Sequence, residues 1–69
     1  MTAPDWQQSR DRRVYVAEAP GGGLLMVTRL GRDRWVPAIV RAGRTLWRGQ
    51  PYPTRDAAQA AAEAQAGSP

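Results

Sequence analysis

Between residues 24 and 48 the apolar positions fall into three short runs, 24–30, 34–41 and 45–48, rich in β-branched and aromatic residues. Turn signals separate them: Gly31-Arg32-Asp33 after the first and Ala42-Gly43-Arg44 after the second. Runs of this length and composition predict strands, and tight glycine-containing connections between them predict hairpins. The period then changes. Ala57, Ala60, Ala61 and Ala64 follow an i, i+3, i+4, i+7 spacing, with Asp56, Gln59 and Glu63 on the opposite face, which predicts an amphipathic helix. Thr54 stands where the N-cap belongs, Asp56 suits the positive end of the helix dipole, and Gly67 marks the end.

Upstream, Val14 and Val16 alternate with Tyr15 within residues 12–19, allowing a further short strand, and Pro20-Gly21-Gly22-Gly23 is a breaker read as a turn. Residues 1–11 read as a flexible arm whose one large apolar residue is Trp6, and residues 67–69 as a tail. The expected fold is therefore α+β: a three- or four-stranded antiparallel meander over residues 12–66, packed against one C-terminal helix. Pro37 is the weak point of the sheet. It has no amide hydrogen, so its amide position must face away from a neighbour or the strand must carry a bulge.

An alanine face has little volume, so the helix must approach the sheet closely and the large core side chains must come from the strands. Trp35, Ile39 and Leu46 are the candidates. If Trp35 and Ile39 face the helix, Val36, Ala38 and Val40 face away, and Thr45 and Trp47 of the next strand join them. That outer face is apolar, where a sheet covered on one side normally turns polar residues to water. Its cover is the N-terminal segment, a second copy or a binding partner; Trp6, Tyr15, Val36 and Val40 are the candidate interface residues.

Charge adds a second theme. The chain of 69 residues carries ten basic residues, all arginine, against six acidic ones, for a formal charge of +4. Residues 29–48 hold six arginines and one acid, Asp33, so this stretch alone carries +5. Arg41 and Arg48 fall by simple counting on the helix-facing parity, and so are expected at strand ends. Such a cluster suits a phosphate backbone or an acidic protein surface. With no Cys and no His, neither a disulfide framework nor an ordinary zinc site is available, and no cofactor is implied. Catalysis has little to work with, because Lys is absent too, the serines Ser9 and Ser68 fall in expected tails, and the acids show no pairing. No apolar run approaches the roughly 18 residues of a membrane span, and the polar N-terminus lacks a signal core, so a cytoplasmic protein is expected.

Three segments together carry a family resemblance: Trp35-Val36-Pro37-Ala38-Ile39, then Leu46-Trp47-Arg48-Gly49, then Tyr52-Pro53-Thr54-Arg55-Asp56-Ala57-Ala58. Over residues 26–66 the chain resembles AP2-type DNA-binding domains and the arm-binding domains of phage integrases. The resemblance implies a three-stranded sheet on a helix whose outer face enters the major groove, with Trp47 as a groove residue. Where plant members carry Glu and Arg on the middle strand this chain has Ala38 and Val40, and Thr45 replaces their arginine before the tryptophan. Arg29, Arg32, Arg34 and Arg44, at strand ends and turns, are the expected phosphate contacts. Two functions are thus expected. The first is a small DNA-binding accessory protein of phage or mobile-element type; the alternative is a protein-interaction module or inhibitor that docks a partner, or dimerises, through the outer face or an edge strand.

Overall fold

The computed structural model describes residues 5–67. Five strands, β1 (Gln7–Gln8), β2 (Val14–Glu18), β3 (Leu24–Gly31), β4 (Arg34–Arg41) and β5 (Arg44–Arg48), precede one helix, α1 (Arg55–Ala66). They form a single antiparallel sheet in the order β1-β2-β3-β4-β5, and α1 lies across β3 and β4. The α+β meander expected from the sequence is present, with one strand more than expected. Gln7–Gln8, inside the segment read as an arm, pairs with Val16 and Tyr15. Met1–Pro4, and Ser68 and Pro69 of the expected tail, lie outside the described residues. Among the described residues no helix is long and apolar enough to cross a membrane.

Two turns show why these hairpins form where they do. Gly23 has φ +90°, and a Cβ there would stand 2.7 Å from the carbonyl oxygen of Val40, so only glycine lets β3 begin this close to β4. Between β4 and β5, Ala42 and Gly43 both take positive φ, 52° and 75°. That pair is the signature of a type I′ turn, whose twist matches the flanking strands.

The core lies between sheet and helix and is small. Leu25, Val27 and Pro37 are its largest fully buried side chains, joined from the sheet by Ala17 and from the helix by Ala58 and Ala62. Thr54 caps the helix, its Oγ1 accepting from the Ala57 amide at 3.2 Å, and Gly67 closes it in a right-handed conformation at φ −83°. The buried stripe is one residue away from the expected one. Ala58 and Ala62 are inaccessible, Ala57 and Ala61 are half-buried, and Ala60 and Ala64 are exposed. Alanine occupies both stripes, so side-chain size cannot choose between them, and the close approach of α1 to β3 and β4 decides.

Pro37 is accommodated where β5 runs out. The Gly49 amide donates to the Pro37 carbonyl oxygen at 2.9 Å, just past the end of β5. A residue in an antiparallel strand turns its nitrogen and its carbonyl to the same neighbour, so the missing hydrogen also falls at this strand end. Beyond it, Trp35 exchanges both backbone hydrogen bonds with Tyr52, at 2.9 and 2.8 Å.

A register shift between β4 and β5 corrects three expectations. Val40 pairs with Thr45 but Ile39 pairs with Trp47, leaving Leu46 as an extra residue in a β-bulge. Past the bulge the parity of β5 is reversed. Thr45 stays on the outer face, whereas Trp47 turns to the helix side and packs so closely on Pro37 and Gly49 that a Cβ at residue 49 would come within 2.7 Å of the indole. Arg48, opposite Ala38, moves to the outer face instead of the helix side. Leu46, a core candidate, is 60% exposed at the bulge. Ile39 does pack against the core cluster, and Trp35 is half-buried at the sheet end.

Candidate nucleic-acid interface

The sheet has two unlike ends. One collects the β1–β2 loop, the β3–β4 turn and the start of α1; the other collects the β2–β3 turn, the β4–β5 turn and the end of α1. At the first end, the loop of residues 9–13 is built around Ser9. Its amide donates to the Val14 carbonyl at 2.8 Å, its carbonyl accepts from Arg12 at 3.0 Å, and its Oγ donates to Asp11 Oδ1 at 2.6 Å. The same carboxylate oxygen accepts from the Arg13 amide at 3.1 Å. The Ser9 hydroxyl, then the Arg13 amide, hold the Asp11 carboxyl below its ordinary value of 3.8, so it stays ionised under ordinary conditions. Arg12 takes φ +60°, a conformation rare for a side-chain-bearing residue.

The Arg29 amide donates to the Arg13 carbonyl at 2.7 Å and so ties this loop to β3. A cleft of about 470 Å³ opens between the two, lined by Asp11, Arg12, Arg13, Arg29, Leu30, Gly31 and Arg32. Four arginines and one carboxylate give it a formal charge of +4 − 1 = +3. Among the described residues none of these four arginines forms an ion pair; the acid beside them is already engaged by Ser9 and the loop backbone.

Arg29 is held ready. Its Nε donates to the Gly31 carbonyl at 3.1 Å, and its guanidinium carbon lies 5.5 Å from the centroid of the Trp35 ring. The Trp35 ring meets Tyr15 at 6.0 Å, and Arg55 of α1 covers the far side of this group, 4.8 Å from the Tyr15 centroid. The Tyr15 hydroxyl accepts from Gln8 Nε2 at 2.6 Å and from Arg55 Nη1 at 3.0 Å. Cations thus bracket two aromatic rings across the sheet end, an arrangement that restricts both arginine stems. Arg55 also pairs with Asp56 at 3.8 Å, whereas Arg29 forms no ion pair among the described residues.

Of the residues singled out from the sequence, Arg29 and Arg32 meet in the cleft, and Arg34 sits beside them, opposite Gly31. Arg44 lies at the other end of the sheet, roughly 23 Å along β4 at about 3.3 Å per residue. Trp47 is on the helix side and does not join the outer face. Trp6 packs against Ala17, Leu25 and Ala62, and Tyr15 is engaged with Trp35 and Arg55, so both belong to the helix side as well. Val36 and Val40 do lie on the outer face, Val36 only 5% exposed. Arg12 and Arg13 escaped the sequence reading, which took its charge window from residue 29 onward; the run Arg10-Asp11-Arg12-Arg13 was the available signal.

The outer face itself is aliphatic. Val14, Val16, Met26, Thr28, Val36, Ala38, Val40 and Thr45 share it by register, over a shallow groove of about 210 Å³, with Arg48 at one margin. No protein-family model, curated protein or solved structure matches the chain.

Proposed function

We propose that this chain binds nucleic acid, DNA ahead of RNA, by gripping phosphates with Arg12, Arg13, Arg29 and Arg32 at one end of its sheet. The convergence of these four arginines, none in a salt bridge among the described residues, on one cleft is the observation that carries the reading. Arg34 extends the same basic end. Guanidinium groups offer paired donors to phosphate oxygens, and Arg29 keeps both Nη groups for this while its Nε is spent on Gly31.

The resemblance to AP2-type and integrase arm domains favours DNA, but the contact differs from theirs. The outer face carries Ala38 and Val40 at its centre, which have no hydrogen-bonding groups for base edges, so binding is by backbone contact with little sequence preference. The chain acts by binding rather than catalysis, as an accessory protein working beside nucleic acid in the cytoplasm. A second reading, a protein-interaction module, is favoured by the aliphatic outer face, which none of the described elements covers.

Fluorescence anisotropy with a labelled mixed-sequence duplex tests the proposal. Four phosphate contacts give a slope of about −3.6 in log K against log salt, so raising salt from about 50 to about 200 mM weakens binding roughly 150-fold. Failure to bind at about 50 mM, or binding indifferent to salt, overturns it.

A further inference from the structure

The helix covers one face of the sheet, and Trp6, once a candidate cover for the other, packs on the helix side. The covered side contributes few large buried residues and the helix itself only alanines, a small core for a chain of 69 residues. The outer face meanwhile keeps a continuous aliphatic surface, with Leu24 42% exposed at one end of β3 and Leu30 56% exposed at the other.

Its charges lie at strand ends: Arg34 begins β4, exposed and on the parity of Val36 and Ala38. Glu18 ends β2 on the outer-face parity of Val14 and Val16, and Arg48 ends β5 opposite Ala38, on the same face. Neither has an ionic partner among the described residues. The centre of the face carries no charge, so two copies of a chain of formal charge +4 meet there with Arg34, Glu18 and Arg48 left at the rim.

Symmetry then narrows the arrangement. A two-fold axis running parallel to the strands, between β3 and β4, exchanges β3 with β4 and β2 with β5 across the interface. Leu24 of one copy falls over Val40 of the other, and Glu18 falls over Thr45, two strand positions (about 7 Å) from Arg48 and within reach of its long side chain, twice over. The alternative axis, across the strands, sets β2 on β2 and β5 on β5 and loses both matches. We propose that two copies of this chain pack outer face to outer face about the axis parallel to the strands, pairing Glu18 of each with Arg48 of the other. Two sheets stacked this way lie about 10 Å apart, and the same axis brings both basic clefts to one end of the dimer. The proposal stands independently of nucleic-acid binding.

Sedimentation equilibrium of the full chain without nucleic acid, up to about 500 μM so that a weak dimer is also reached, is the test. The expected result is twice the chain mass of 7.6 kDa. Ala38→Asp, which plants a charge mid-face, abolishes the dimer. Glu18→Arg and Arg48→Glu each weaken dimerisation about ten-fold while leaving circular dichroism unchanged, and the double variant restores it. A monomer at about 500 μM overturns the proposal, as does a dimer that survives Ala38→Asp. Should Ala38→Asp unfold the chain, the charge exchange decides: single variants without effect, or a double variant that fails to restore, overturn the pairing.

Discussion

The guanidinium of Arg29 lies over the ring of Trp35, its cross-strand partner, at 5.5 Å. An exposed arginine at a strand end would ordinarily sample many rotamers; here the indole and the Gly31 carbonyl restrict it before any phosphate arrives.

Exchanging Arg29 for Lys keeps the charge but loses the Nε donor to Gly31 and weakens the contact with Trp35. We expect a two- to five-fold loss of DNA affinity, corresponding to about 0.5–1 kcal/mol, with an unchanged salt slope. Arg29→Glu instead lowers the magnitude of the salt slope by about one or more. Anisotropy titrations at several salt concentrations separate the two, and equal behaviour of both variants removes Arg29 from the interface.

Trp47 packs on Pro37 and Gly49 beneath the bulge at Leu46. Replacing it with Ala should therefore cost stability, about 2 kcal/mol for a half-buried ring, with DNA affinity of the folded fraction little changed. Urea denaturation followed by far-ultraviolet circular dichroism measures the first. An unaltered midpoint together with lost binding points to a contact role instead.

The β4–β5 turn holds Ala42 at φ 52°, in the left-handed region that penalises a Cβ. Ala42→Gly should raise stability by about 0.5–1 kcal/mol, seen as a higher melting temperature. Gly23→Ala runs the other way, because its Cβ meets the Val40 carbonyl oxygen at 2.7 Å, and we expect a loss above about 2 kcal/mol. A neutral Gly23→Ala would contradict the close approach of β3 and β4.

Asp11 is the acid-sensitive element of the cleft. Hydrogen bonds from Ser9 and the Arg13 amide favour its charged form, so its folded pKa lies below the ordinary 3.8. A depressed carboxylate contributes its stabilisation above the unfolded value and loses it as pH falls through the folded one. NMR titration should place the Asp11 midpoint below 3.8, and Ser9→Ala should move it upward. DNA affinity should stay level between about pH 6 and 8, since the chain has no His, Cys or Lys.

Local chemistry by itself determined the middle strands, the glycine turns that join them and the helix begun by Thr54. Each of these depends on residues a few positions apart. The face assignment of β4 was equally legible, because a period of two holds wherever a strand is regular. What only the tertiary structure decided follows from breaks in that regularity and from distance along the chain. One extra residue at Leu46 sent Trp47 to the helix and Arg48 outward, a reversal that no count of alternating positions reveals, since a bulge answers to the twist of the whole hairpin. Two alanine stripes were available on α1, and the closeness of β3 and β4 selected Ala58 and Ala62. Arg12 and Arg13 reached Arg29 and Arg32 only through the pairing of β2 with β3, which closes 16 residues of sequence, from Arg13 to Arg29, into a single 2.7 Å hydrogen bond.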